Sequence, residues 1–336
     1  MKKMLWHIVP AMDVGGVEIA ISRSWKIVNA TIDYQVYYVR RHGILQCGQK
    51  PIWRLLVDII FCGVRPDFII TSLWWSHAFG LLGRVYGIPW ISFFHSEGFS
   101  HIFDRVSSRW AWRKSSYRFV DSSATHKALN SIQYKEAFLI PCVFPSLEPT
   151  NIPWSDKEYD FVWIGRSAVT KRIDLFIQFL RYSEKYWEKA SVVVIIAGSV
   201  PETFTQFLKS THFKITILQN EENKKVLDTL SRSKFYLLFS DHEGMSMSTI
   251  EAVQSGCVPV VRRVGEIATY LDHQSCICVL DDSSDSILQS SREVYRLSNN
   301  CDVRTSMLEK AAASVDAINY YVPSMMAAIR SIESAK

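Results

Sequence analysis

The sequence predicts an α/β fold built from two doubly wound parallel-sheet domains. Three observations carry this. Short apolar runs alternate with helical patterns, as in a parallel sheet covered by helices on both faces. The alternation stops at 141–153, where Pro141, Pro145, Pro149 and Pro153 mark a linker, and then restarts. The 336 residues give each half enough chain to bury its own core.

In the first half the expected strands are 5–9, 34–39, 68–71, 90–94, 117–120 and 137–140. Helices are expected between them, for example over 17–28 and 78–86. In the second half the strands fall at 159–164, 192–197, 214–218, 235–239, 258–261 and 277–280. Helices include 172–186 and 248–255. A last helix, over about 315–332, has no strand after it. The boundaries are then 1–145 for the first domain, 155–314 for the second and 315–336 for the terminal helix. Ligands of such sheets bind at the carboxyl ends of the strands. Two such domains facing each other predict a small-molecule cleft.

Composition narrows the function. Hydrophobic residues make up 48% and charged residues 21%, which excludes a disordered chain. The net charge of +5 is too small to argue for nucleic acid, and no nucleic-acid-binding module is recognisable. The charge is unevenly placed. Residues 1–150 hold 17 basic and 10 acidic side chains, and the remainder 21 and 23. Seven cysteines without a C-x-x-C read as free, mostly buried thiols of a reducing compartment. The most apolar stretch, 68–83, is too short and too polar to span a bilayer. The opening residues read as a strand better than as a signal peptide. A cytoplasmic protein is expected.

Four motifs carry chemistry. The most informative runs from Phe239 through Glu243, Gly244, Met245, Ser246, Met247 and Ser248 to Glu251. It reads as a strand end, a glycine-containing turn and a helix capped by Ser246 or Ser248. The free N–H groups of that helix and its dipole form an anion site suited to phosphate. Glu243 and Glu251 could accept from sugar and ribose hydroxyls on either side of a bound diphosphate. The alternative is two ordinary exposed helix glutamates.

The second motif is Gly165-Arg166, followed by Lys171 and Arg172, after the first strand of the second domain. Arg166 and Lys171 are placed to converge on a diphosphate, with charged hydrogen bonds of about 1.5–3 kcal/mol each. It is no Walker loop, because the glycine before the lysine is missing and Arg172 stands where Ser or Thr should. It also reads as a solvated basic turn. The third is Asp13-Val14-Gly15-Gly16-Val17-Glu18, where paired glycines allow close backbone approach to a ligand. The absence of G-x-G-x-x-G disfavours a dinucleotide oxidoreductase. The fourth is His95, at the end of a predicted strand. It reads either as a cleft residue or as a hydrogen-bonded structural histidine, and His77 has the weaker claim.

Together these residues resemble a known family. The stretch from Glu243-Gly244 to Glu251-Ala252, running on to Gly256 and Val261, resembles the E-x7-E motif of retaining GT-B glycosyltransferases. The best match is glycosyltransferase family 4. Gly165-Arg166 with Lys171 resembles its diphosphate-binding turn, and Gly15-Gly16-Val17-Glu18 its N-terminal glycine loop. The pattern from Pro66-Asp67 through His77, Gly87-Ile88-Pro89 and His95 also fits. The terminal helix resembles the GT-B helix that returns to the first domain. Met245-Ser246-Met247 and Ile19 depart from the usual pattern, which bears on sugar specificity.

The resemblance implies two Rossmann-like domains facing a cleft and transfer from a nucleotide-diphosphate sugar (UDP- or GDP-) with retention. It implies that Glu243 contacts the donor sugar and Glu251 the ribose. Arg166 and Lys171 hold the leaving pyrophosphate, Gly16 approaches the donor, and His95 lies near the sugar's reacting face. No D-x-D occurs, so the two cations are expected to stand in place of a metal, with no cofactor.

The acceptor, a glycan or lipid-linked oligosaccharide as in bacterial surface polysaccharide assembly, belongs on the basic first half. There Arg105, Arg109, Arg113, Lys114 and Arg118 interleave with Trp110, Trp112, Tyr117 and Phe119. Such a segment suits the anionic cytoplasmic face of a membrane. It also reads as a structural helix with core tryptophans and solvated arginines. A sugar-nucleotide epimerase of similar fold and a non-catalytic sugar-nucleotide-binding module are the alternatives.

Overall fold

The computed structural model describes residues 2–11, 16–40, 49–95, 98–99, 101–144 and 152–335. The chain divides into two compact units, Met1–Phe144 with Asn319–Lys336, and Pro145–Ile318. The expected linker residues 145–151, and Gly15 of the glycine loop, lie outside the described residues.

In the first unit the elements are β1 (Met4–Ala11), α1 (Gly16–Thr31), β2 (Asp33–Arg40), β3 (Gln49–Pro51), α2 (Ile52–Leu56), β4 (Phe68–Ser72), α3 (Gly80–Val85), β5 (Trp90–Phe94), α4 (Ile102–Lys114), β6 (Tyr117–Val120), α5 (Ser123–Asn130) and β7 (Phe138–Leu139). The seven strands pair in the order β3-β2-β1-β4-β5-β6-β7, all parallel. Every residue of β4 and β5 is buried, as a strand covered on both faces requires. Trp6, Trp90 and Trp112 are among the largest fully buried side chains. The short β3 was not expected, since Gln-Lys-Pro shows no apolar alternation. At its register the proline sits on an edge strand, where a missing donor is tolerated.

The second unit holds β8 (Tyr159–Arg166), α6 (Ile173–Ser183), β9 (Ser191–Ala197), α7 (Glu202–Leu208), β10 (Lys214–Gln219), α8 (Asn223–Ser231), β11 (Ser233–Leu238), α9 (Met247–Gln254), β12 (Val258–Arg262), α10 (Ile267–Tyr270), β13 (Ile277–Val279), α11 (Ser284–Ser298) and α12 (Cys301–Asp316). Its six parallel strands run β10-β9-β8-β11-β12-β13. Phe161, Trp163, Phe176, Phe179, Phe235 and Phe239 fill its core.

The expected terminal helix over 315–332 is corrected. α12 stops at Asp316, and a separate helix, α13 (Tyr321–Ser334), follows. Pro323 explains the break. It lacks the N–H that a continuous helix would need there, whereas in the first turn of α13 that donor has no helical partner to lose. α13 belongs to the first unit and packs on α1. Its Tyr321 is buried between Phe93 and Phe144, and its N–H donates to the Val143 carbonyl.

All six described cysteines are free. Only Cys142, Cys257 and Cys276 are buried, while Cys62 and Cys301 are exposed, so the thiols are less buried than expected. Cys47 lies outside the described residues. Among the described residues no helix is long and apolar enough to cross a membrane.

Candidate active site

In the second unit the strand order reverses between β8 and β11. Loops leaving the carboxyl ends of those two strands diverge, and doubly wound sheets bind ligands there. The residues singled out from the sequence sit on these two loops. Arg166 ends β8. Its side chain is exposed and makes no hydrogen bond or ion pair among the described residues, while its carbonyl accepts from the Ala168 N–H. Gly165 precedes it because a Cβ there would lie 2.6 Å from the Trp163 ring. Lys171 closes a 3-10 turn, Val169–Lys171, and its Nζ lies 2.5 Å from Oε1 of Glu243. The diphosphate lysine and the first glutamate of the motif therefore form one ion pair.

Neither glutamate is an ordinary exposed helix residue. The Glu243 side chain is 11% exposed and Glu251 is 9% exposed. Glu251 stands on α9, near the buried Tyr236. That phenol is pushed above its ordinary value, by burial above all, with the charges of Glu243 and Glu251 adding to it.

The expected serine cap of α9 is corrected. Ser246 holds the N-cap position in a left-handed conformation (φ 52°), but its hydroxyl meets the Thr249 hydroxyl at 2.8 Å and caps no backbone N–H. Ser248 lies inside the first turn and bonds the Tyr236 hydroxyl at 2.8 Å. The N–H groups of Met247 and Ser248 thus have no acceptor among the described residues. An uncapped helix start is a better anion site than a capped one, because the donors remain available. Met245 is buried, and its carbonyl accepts from the Tyr270 hydroxyl. Its side chain is therefore committed to the core. Gly244 accepts at its carbonyl from the Glu266 N–H.

Sequence reasoning missed the network that braces this arrangement. Arg172 follows Lys171 in a left-handed conformation (φ 48°) and donates to Asp174, Asp241 and Asp282. Arg262, the last residue of β12, donates to the same Asp241 oxygen at 2.6 Å and lies 3.6 Å from Asp282. Hydrogen bonds from Arg172 hold the carboxyls of Asp174 and Asp282 below the usual range. The Asp241 N–H also donates to the Thr170 carbonyl. So the loop of Lys171 and the loop of Glu243 are tied together two residues or fewer from each functional side chain. Gly265 adds a third brace. A Cβ there would lie 1.8 Å from the Glu243 carbonyl oxygen. The signal was available: Arg172, Asp241 and Arg262 are charges at or just beyond strand carboxyl ends.

Comparison with known proteins accords with this geometry. Residues 147–313 match the model of glycosyl transferases group 1. That match spans nearly the whole of the second unit. No curated protein matches the chain. Among solved structures, a TarM variant from S. aureus, in complex with fondaparinux, alpha-GlcNAc-glycerol and UDP, is 16% identical (TM-score 0.64). The match covers 84% of this chain but only 59% of TarM, so this chain spans about three fifths of that protein. HepE from Anabaena, in complex with UDP, is 12% identical, with 98% and 100% coverage and a TM-score of 0.74. The catalytic domain of Starch Synthase IV from Arabidopsis thaliana, bound to ADP and acarbose, is 11% identical, with 100% and 99% coverage and a TM-score of 0.73. These likenesses show the fold: the chain has the GT-B architecture of two Rossmann-like domains.

The stretch matched by that model holds Glu243, Glu251, Arg166 and Lys171. The other candidates lie in the first unit. Gly16 opens α1, just beyond the carboxyl end of β1. His95 follows β5. Its Nε2 lies 3.1 Å from the Ser72 hydroxyl and its Nδ1 3.8 Å from the Cys142 sulfur. Burial, with lesser contributions from His7 and His77, lowers its pKa to about 3, so the ring is neutral at pH 7. His77 is buried, and its Nδ1 lies 3.0 Å from the Thr71 hydroxyl.

The basic aromatic segment is corrected in part. Trp112 is fully buried and Trp110 is partly buried against the same core, its ring tilted by 36° against that of Trp90. Arg118 is buried and donates to the carbonyls of Trp112 and Ser115. Arg105, Arg113 and Lys114 are exposed and Arg109 is half-buried. The apolar side chains actually presented to solvent on α4 are Ile102, Phe103 and Val106.

Proposed function

We propose that the protein is a retaining, metal-independent glycosyltransferase that moves a sugar from a nucleotide-diphosphate sugar to a glycan or lipid-linked glycan. The observation that carries this is the Lys171–Glu243 pair beside exposed Arg166 and the uncapped start of α9, all at the strand-order reversal of the group 1 domain. Arg166 and the free N–H groups supply the counter-charge for a diphosphate. Lys171 has three donors, so a phosphate oxygen is accommodated beside Glu243. Glu243 accepts from the sugar and Glu251 from the ribose. The UDP of TarM and HepE favours a UDP-sugar over a GDP-sugar.

As the diphosphate departs, positive charge grows on the anomeric carbon. The acceptor hydroxyl attacks from the same face, and its proton passes to the departing phosphate oxygen. Catalysis is then positioning and electrostatic stabilisation, with Arg166 and Lys171 holding the charge a metal would otherwise hold. On the first unit, His95 presents a neutral imidazole just beyond the carboxyl end of β5. The exposed face of α4 suits an anionic, cytoplasmic membrane surface during polysaccharide assembly. Ile102, Phe103 and Val106 supply the apolar contact, and Arg105, Arg109, Arg113 and Lys114 the charge.

Lys171→Ala combined with Arg166→Ala should lower turnover of a competent donor–acceptor pair by about 100-fold or more. Turnover within a few-fold of the native rate would refute the diphosphate role. Incubating the protein with UDP-sugars alone separates the alternatives: an epimerase would interconvert them, whereas a transferase hydrolyses them slowly at most.

A further inference from the structure

Two thiols meet at the edge of the second sheet. Cys276 stands just before β13 and Cys278 lies within it, with Ile277 between them. Their Sγ atoms are 3.4 Å apart. β13 is the last strand of its sheet and pairs with β12. Both thiols line a cavity of about 230 Å³, together with His273, Gln289, Glu293 and Met307.

The two thiols are not equivalent. Cys276 is 1% exposed, and its Sγ lies 3.2 Å from the Asp272 carbonyl oxygen. A carbonyl only accepts, so this neighbour favours a protonated Cys276. Cys278 is half-buried. The hydrogen bond with Cys276 draws its thiol below the ordinary value, with the charge of Arg263 adding to this and burial and the charge of Asp272 opposing it. The same bond, and burial after it, push Cys276 up. Cys278 is therefore the member of the pair that supplies a thiolate, the nucleophilic form.

We propose that Cys278 and Cys276 form a dithiol site that reduces a hydroperoxide and closes into a reversible disulfide. The Cys278 thiolate attacks one oxygen of the peroxide. The O–O bond breaks, Cys278 becomes a sulfenic acid, and the departing oxygen takes up a proton. The Cys276 sulfur then attacks the Cys278 sulfur. The S–O bond breaks, the S–S bond forms, and the Cys276 proton leaves with the hydroxyl as water. The two thiols lose two electrons and the peroxide gains them. The cavity suits a small polar oxidant, because His273, Gln289 and Glu293 offer it hydrogen bonds.

Closure takes the sulfurs from 3.4 Å to about 2.05 Å. Cys278 pairs with Val261 of β12, and its neighbour Val279 pairs with Arg262. Asp282, three residues past Val279, accepts from Arg172. The disulfide therefore pulls on the brace of the Lys171 and Glu243 loops, and the oxidised protein transfers sugar more slowly. This coupling rests on the transferase reading, and the dithiol does not.

The test treats reduced full-length protein with a small excess of hydrogen peroxide, then alkylates with N-ethylmaleimide and digests with trypsin. The expected tryptic peptide 264–292 carries no alkyl group and is two hydrogens lighter than its dithiol form. Dithiothreitol should return both alkylation sites. Cys276→Ser should leave a sulfenic acid on Cys278 that dimedone labels, whereas Cys278→Ser should leave Cys276 unlabelled. Alkylation of both cysteines in 264–292, while the exposed Cys62 and Cys301 are oxidised, would overturn the proposal. So would dimedone labelling of Cys276 in preference to Cys278. Turnover of the oxidised protein should fall several-fold and recover with dithiothreitol, and Cys278→Ser should resist the peroxide. Undiminished turnover of the oxidised protein, or a loss that persists in Cys278→Ser, overturns the coupling. The peptide masses decide the dithiol whether or not sugar is transferred.

Discussion

The two units carry their functional residues in opposite electrostatic ways. At the strand ends of the second, Arg172, Arg262, Asp174, Asp241 and Asp282 form a charged lattice, and Lys171 pairs with Glu243. Around Ser72 in the first, His7, His77 and His95 are kept neutral by burial above all, and order comes from hydrogen bonds between uncharged groups. The difference teaches that a parallel sheet can position a side chain by either means. Two arginines against three aspartates leave that lattice net negative, so its part is to brace the loops of Lys171 and Glu243, and the exposed Arg166 side chain stands outside it. In the first unit uncharged hydrogen bonds do the bracing.

The largest effect that would sharpen this contrast is expected at Gly265. It combines a left-handed φ of 56° with the close approach to Glu243. Gly265→Ala should cost about 3 kcal/mol or more and displace Glu243 from Lys171, so transfer activity falls even in molecules that remain folded. Thermal unfolding and turnover on the same sample check this. A native midpoint with native turnover would show that the loop brace is dispensable.

Acid should separate the units next. His7 and His77 are lowered by burial from 6.5 to about 3. The unfolded chain therefore takes up protons first as pH falls below 6.5, and each ring withdraws about 1.4 kcal/mol of stability per pH unit in that window. The carboxyls of Asp174 and Asp282 are lowered from 3.8, so their contribution stays intact above that pH and is lost only further down. Hydrogen exchange at pH 7 and pH 5 should show β1, β4 and β5 losing protection while β8, β11 and β12 keep theirs. Equal loss in both units would break the comparison.

The smallest effect is expected at α4. Phe103 is 69% exposed. Phe103→Ser should weaken binding to anionic vesicles several-fold without changing turnover of a soluble acceptor. Equal sedimentation with neutral and anionic vesicles would remove the membrane reading.

Most of the fold is legible in the sequence, because a buried parallel strand leaves an unmistakable apolar run. β5 and β6 coincide with their expected limits, and the other long strands differ by a few residues at their ends. β3 was invisible because an edge strand three residues long needs no apolar pattern. The break before α13 was readable at Pro323 but hidden by the helical residues on both sides. At the site, the residue types of Glu243, Lys171 and Glu251 were legible, and their pairing was not. Nothing in the chain order says that Lys171 meets Glu243, 72 residues away. Trp110 and Trp112 misled because an aromatic beside arginines reads the same whether it faces a core or a bilayer. His95 was legible as a strand-end residue. Its link through Ser72 to His7 and Tyr34 depends on side chains from three strands and could emerge only from their register.

The return of the chain through α13 has a consequence for how the protein is made. The first unit is discontinuous: its core needs Tyr321 between Phe93 and Phe144, yet that residue follows the whole of the second unit. During synthesis the second unit has all of its strands before the first can complete its packing. The half of the molecule that begins first therefore finishes last, and until it does, the hydrophobic seat of Tyr321 stands open as a place for chaperones to hold.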